Sequence, residues 1–180
     1  MIDFSSPGGK SRSLEVVGGD IAKVKCDALI TAVNSGAMWF GGIDGVIQRN
    51  AGNMFHAQAL AKLPLKHLDT VVAKKTKAHS GNFNDVVFVI DDLEGPLGKV
   101  IFSALRAASE AGYKHVSIPT IRMGVMSGVV EKTPKEALTE LIKGITEFFK
   151  SYPQSCIEKM TFVVYNQPNI ISIISSFEKK

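Results

Sequence analysis

Short apolar runs of strand length alternate with amphipathic helical stretches along this chain, which predicts a three-layer α/β/α domain around a central mixed, largely parallel sheet. Two further observations support that class. Neither an internal repeat nor a linker interrupts the pattern over 180 residues, a length suited to one well-cored domain. Three loops that follow strands, at Asp20, at residues 34–45 and at residues 122–128, can fall on one edge of such a sheet, where α/β proteins take ligands.

Residues 1–12 are rich in Ser, Gly and charge and are read as a loose lead-in to a single domain over residues 13–180. Gly9-Lys10-Ser11 resembles the tail of a phosphate-binding P-loop, but Phe4 stands where that motif needs a glycine, and no strand precedes it. A short strand at 14–17 is followed by Gly18-Gly19-Asp20-Ile21, a turn in which Asp20 either caps the next segment or accepts a hydrogen bond from a ligand amine. Residues 28–33 form an apolar run that reads as a strand buried on both faces, with Asn34 at its end. Gly41 and Gly42 then remove side chains where the chain turns. Residues 43–47 open a short helix that Gly52 closes just past its last turn. Strand, glycine loop and helix N-terminus in succession present unpaired N–H groups and a positive dipole end, which suits a phosphate.

Asn53 is placed to cap a second helix to about residue 62, ended by Leu63-Pro64. Residues 70–77 read as a strand with one wet face bearing Lys74, Lys75 and Lys77, and residues 86–90 as a fully apolar strand. Pro96 opens a helix whose apolar positions share one face, and Gly112 ends it. A strand at 115–121, broken at Pro119, leads into a flexible loop at 122–130 containing Gly124 and Gly128. Thr133-Pro134-Lys135-Glu136 is a capping box with proline at the first helical position, starting a helix that stops before Pro153. A strand at 160–165 and a helix at 168–177 complete the chain.

Hydrophobic residues at 45% and charged residues at 21% are those of a chain with a packed interior, not a disordered one. Lys and Arg exceed Asp and Glu by 21 − 17 = 4, a mild bias toward anionic ligands that does not demand nucleic acid. Cys26 and Cys156 form no disulfide framework and no C-x-x-C motif, and His56, His67, His79 and His115 are scattered without ligand spacing, so neither a metal nor a cofactor is expected. The first residues lack the pattern of a signal peptide, and no apolar run approaches the ~20 residues of a membrane span, so a cytoplasmic protein is expected. A dinucleotide-binding motif fits poorly, because Phe40 stands where its first glycine belongs.

Gly19 to Ile21, the strand ending in Asn34, GGIDGVIQRNAG over residues 41–52 and IPTIRMGVM over residues 118–126 together resemble the macro domain family, in order and over most of the chain. The resemblance implies a cleft for ADP-ribose. By similarity Asp20 takes the adenine amine, with a backbone contact from Ile21 beside it. Gly41, Gly42, Gly45 and Val46 line the first phosphate loop, Gly124, Val125 and Met126 form the second, and Asn34 reaches the distal ribose. Where the family usually carries Ser-Thr-Gly before an aromatic and another glycine, this chain has Arg122, Met123, Gly124, Met126 and Ser127. Arg122 is read as a cation near the phosphates, and Met126 as packing against the distal ribose without stacking as a ring would. Trp39 and Phe40 either wall the phosphates or anchor the first loop in the core.

In the hydrolytic branch of the family, an asparagine at the position of Asn34 and an aspartate at that of Asp44 accompany removal of ADP-ribose from carboxylates, or of acetate from O-acetyl-ADP-ribose. The resemblance therefore implies Asn34 and Asp44 as catalytic residues, Asp44 holding a water against the phosphate and Asn34 positioning the ribose. An acid in the first turn of a helix also complements the dipole without any catalytic task. A non-catalytic reader of ADP-ribose or ADP-ribosylated protein is the alternative, and binding of RNA or another polyanion through Lys74, Lys75, Lys77 and Arg122 is a third reading with only net charge behind it.

Overall fold

The computed structural model describes residues 1–37 and 42–179. Among the described residues the strands are β1 (Ile2–Asp3), β2 (Ser13–Gly18), β3 (Cys26–Val33), β4 (Thr70–Ala73), β5 (Phe83–Ile90), β6 (His115–Ile118) and β7 (Lys159–Val164). They form one sheet in the order β1-β2-β7-β6-β3-β5-β4. Every pair from β2 to β5 is parallel, and only the outer pairs β1/β2 and β4/β5 are antiparallel. The sheet is thus mixed and largely parallel, as the alternation predicts.

The helices are α1 (Gly42–Ala51), α2 (Met54–Leu60), α3 (Leu97–Glu110), α4 (Pro134–Ser151) and α5 (Pro168–Ser175), with 3-10 turns at Ile21–Lys23 and Ser176–Lys179. Alternate residues of a central strand serve opposite cores. Ala28 and Ile30 of β3 pack with α3, α4 and α5, whereas Leu29 and Val33 pack with α1 and α2. Burial on both faces explains why β3, β5 and β7 read as near-continuous apolar runs.

Several local signals act as their chemistry requires. Gly52 adopts φ 63°, the left-handed geometry that ends α1, and its N–H donates to the Gln48 carbonyl. Thr133 Oγ1 accepts from the Glu136 N–H at 3.1 Å at the start of α4, while Glu136 Oε2 accepts from the Lys132 N–H rather than closing the box on Thr133. Asn53 makes no side-chain cap on α2.

Other expectations shift. Residues 2–3, read as part of a loose lead-in, form the edge strand β1, and Arg12 is buried, donating to the Pro153 and Ser155 carbonyls and lying over the Phe149 ring. Strand β4 stops at Ala73, so Lys74, Lys75 and Lys77 are exposed beyond it rather than on a strand face. Strand β5 begins at Phe83 because its first residues pair with β3, Cys26 opposite Phe83 and Ala28 opposite Asp85. Among the described residues no helix is long and apolar enough to cross a membrane.

Candidate functional site

Because β2, β7, β6, β3 and β5 run parallel, the residues that follow them emerge on one edge of the sheet. A cleft of about 520 Å³ opens there, within the range of small-molecule sites. From β2 to β5 it spans four strand spacings, about 19 Å at the usual separation. Thr31 and Ala32 of β3, Asp91 after β5, Pro119 and Thr120 after β6 and Tyr165 after β7 all line it.

One end is built where β2 and β7 lie side by side. Asp20 and Ile21 line the cleft there with Val163, Tyr165 and Gln167. Asp20 Oδ1 accepts from the Ala22 N–H at 2.9 Å, capping the 3-10 turn, and the side chain still borders the cleft. The two readings of Asp20 are therefore compatible, since a carboxylate has two oxygens. Tyr165, expected within the last strand, lies just beyond β7 with 71% of its surface exposed.

Along one wall, α1 contributes Gly42, Ile43, Asp44, Val46 and Arg49. A Cβ added at Gly42 would meet nothing within 4 Å among the described residues, so the lack of a side chain there leaves room in the cleft. Gly45 is not in the lining; the Arg49 Nη1 atom lies 3.2 Å from where its Cβ would stand, so the missing side chain makes space for the guanidinium. Asp44 is nearly sealed, and its Oδ1 lies 3.0 Å from His56 Nε2 of α2. Asn34 Oδ1 accepts from the Gly36 N–H at 3.0 Å, and Asn34 too falls outside the lining formed by the described residues. Gly41, Trp39 and Phe40, expected in the first loop, lie outside the described residues.

The opposite wall is the second loop, where Gly124, Val125 and Met126 line the cleft and Val125 is 84% exposed. Expected to be flexible, this loop is anchored at its base. Gln167 Nε2 donates to the Met123 carbonyl at 2.8 Å, and the Ser127 N–H donates to the Gly124 carbonyl. Arg122 holds φ 62°, unusual for a residue other than glycine, and this turns its side chain inward. Its Nε and Nη2 donate to Asp91 at 2.9 and 2.7 Å, and its Nη1 to Glu131 and the Gly95 carbonyl. Burial pulls the guanidinium down, but the Asp91 and Glu131 carboxylates outweigh it and hold the group above its ordinary value. Arg122 borders the cleft, yet its charge is taken up by two buried carboxylates. Arg122, read as a cation near the phosphates, therefore stands at the cleft with its guanidinium already paired, and as a buried residue it drops out of any surface polyanion patch.

Arg49 is the cleft cation without an ion pair among the described residues. Sequence reasoning missed Arg49, His56, Asp91, Glu131 and Tyr165. A usable signal existed only for Asp91, which directly follows the apolar run of β5 at the ligand-binding edge. No three His, Cys, Asp or Glu side chains among the described residues come together to hold a metal ion.

A three-layer α/β/α domain with a cleft between a helix N-terminus and a glycine-bearing loop defines the class. Residues 30–137 match the model of the Macro domain, and the chain belongs to that family. An uncharacterised protein of Aeropyrum pernix is 31% identical over 136 residues, 70% of this chain and 69% of that one. A protein of Enterobacter sp. named O-acetyl-ADP-ribose deacetylase is 28% identical over 177 residues, 87% of this chain and 88% of that one. In fold, the chain is similar to the Trypanosoma brucei macrodomain in complex with ADP-ribose, with a TM-score of 0.73 at 18% identity over 92% of this chain and 68% of that one. The Oceanobacillus iheyensis macrodomain with ADP gives 0.71 at 18% identity over 99% of this chain and 94% of that one.

Proposed function

We propose that this protein binds ADP-ribose along the cleft and hydrolyses ADP-ribose esters slowly, with Asn34 and Asp44 as its catalytic residues. The observation that carries the reading is Asp44, the third residue of α1, on a cleft wall opposite Gly124, Val125 and Met126. In this reading the adenine sits between Asp20, which accepts from its amino group, and the exposed Tyr165 ring, with the Ile21 backbone beside it. The diphosphate lies between the N-terminus of α1, with Gly41, Gly42 and Val46, and the second loop. Arg49 supplies the cation that Arg122 does not. Asp44 holds a water near the distal ribose and Asn34 orients that ribose. Water adds to the ester carbonyl carbon, the bond to the ribose oxygen breaks, and a carboxylic acid and ADP-ribose leave; for a link at the anomeric carbon, water adds there and the carboxylate departs. The Enterobacter relative bearing the deacetylase name supports this chemistry at the level of the family.

A pure reader of ADP-ribose or of ADP-ribosylated protein is favoured by one observation, the absence of Asn34 from the lining formed by the described residues. Single-turnover release of ADP-ribose from an automodified protein separates the two, comparing the parent with Asn34→Ala and Asp44→Ala while calorimetry follows ADP-ribose binding. The hydrolase reading expects release by the parent and its loss in both variants, with binding retained. Tight binding without release above buffer establishes the reader. A single-stranded RNA titrated alongside tests the polyanion reading, for which Lys74, Lys75 and Lys77 remain exposed.

A further inference from the structure

We infer that His56 is a positioning residue for Asp44, an inference that rests on the hydrolase reading above. The two side chains are 12 residues apart and sit on consecutive helices, each at the third position of its helix. The break at Gly52 and Asn53 lets α2 fold back so that His56 Nε2 comes within 3.0 Å of Asp44 Oδ1. A carboxylate can only accept, so Nε2 carries the hydrogen and donates it. The pair is sealed from solvent, with 2% of the His56 side chain and 3% of the Asp44 side chain exposed.

The imidazole is itself held in place. Its ring meets Phe88 of β5 edge to face, with centroids 4.9 Å apart and planes at 68°. Phe88 is fully buried in the core between the sheet and α1 and α2. Burying an imidazole in such a core is unfavourable unless the ring is hydrogen-bonded, and here the partner is the cleft carboxylate itself. The ring thus transmits the rigidity of β5 to Asp44. An aspartate in the first turn of an exposed helix samples several rotamers, whereas this one has Oδ1 tied to a fixed ring, which sets the plane of its carboxylate. Orientation of this kind acts on the chemical step more than on ligand binding.

The test compares the parent with His56→Leu and His56→Gln. Leucine fills a similar volume without a donor, and the glutamine amide nitrogen reaches the place of Nε2. Steady-state ester hydrolysis at saturating and subsaturating substrate gives kcat and KM separately, calorimetry gives ADP-ribose affinity, and thermal melting reports folding. For His56→Leu the expected result is a loss in kcat of roughly ten- to a hundredfold, with KM and ADP-ribose affinity within about twofold of the parent. His56→Gln should recover most of that loss. A folded leucine variant with the parent's kcat overturns the inference, and so does a folded glutamine variant as slow as the leucine one, because a donor alone would then not suffice. If His56→Leu does not fold, the glutamine variant decides, since only an orienting donor predicts near-parent turnover from a side chain that cannot act as an imidazole base. A parent that binds ADP-ribose but releases nothing overturns the hydrolase reading and the positioning role of His56 together, which sets that outcome apart from failure of the His56 inference alone.

Discussion

Asp91 and Asp92, neighbours at the end of β5, tie down two different loops. Asp91 pairs with Arg122 of the second loop, while Asp92 Oδ1 accepts from the Ser35 N–H at 2.8 Å, directly after Asn34. The Asp91 N–H also donates to the Val33 carbonyl, extending the β3/β5 pairing to the point where the two carboxylates diverge. The gap between the loops is therefore referred to a single buried strand. Asp92 is steadied in turn by its own N–H, which donates to His67 Nδ1 at 3.0 Å.

Gly42→Val should abolish or strongly weaken ADP-ribose binding with little effect on stability. A Cβ there meets no atom of the described residues within 4 Å, so the added bulk enters the cleft and not the core. Calorimetry and a thermal melt of the variant check this. Unchanged affinity would show that the phosphates do not pass α1 at this point.

ADP-ribose should bind roughly tenfold or more tightly than its inosine analogue, because loss of one hydrogen bond to a carboxylate costs about 1.5–3 kcal/mol. Varying the ligand is cleaner than changing Asp20, which also caps the 3-10 turn through the Ala22 N–H. Equal affinities would leave Asp20 with its capping role alone.

Arg122→Met should destabilise the fold by about 3–5 kcal/mol, since it leaves Asp91 and Glu131 buried without their cation. Arg122→Lys should recover only part of this, because one ammonium cannot reproduce the planar set of bonds to Asp91, Glu131 and the Gly95 carbonyl. Urea denaturation measures both. A methionine variant as stable as the parent would mean that the cluster contributes no net stability.

Acid should weaken the fold in part through His115. Burial, and next the charge of Lys159, hold its imidazole below the ordinary value of 6.5, and its Nε2 lies 2.8 Å from Thr161 Oγ1. The unfolded chain takes up this proton more readily than the folded one. The contribution is therefore fully present above the unfolded value and is lost as pH falls through the folded value. Replacing the residue by His115→Gln should make stability fall less between about pH 7 and about pH 5. Identical falls in urea melts of the two proteins would remove His115 from the account.

The sequence alone determined what depends on near neighbours. Apolar periodicity distinguished strands from helices, Thr133 and Pro134 marked the start of α4, Gly52 marked the end of α1, and the glycines of both loops pointed to the edge of the sheet that opens into the cleft. Sequence alone shows Arg122 as a cation near the phosphates and His56 as one of four histidines without ligand spacing, because the partners of a charged or polar side chain come from distant segments. Arg122 meets Asp91 across 31 residues, Asp44 meets His56 across 12, and Ser35 meets Asp92 across 57. Those meetings depend on the strand order β6-β3-β5 and on α2 folding back from α1, arrangements that no local pattern encodes. Tertiary structure alone decided which cleft cation has an ion pair among the described residues and which carboxylate meets a buried imidazole, since burial and hydrogen-bond partners exist only once the layers have packed.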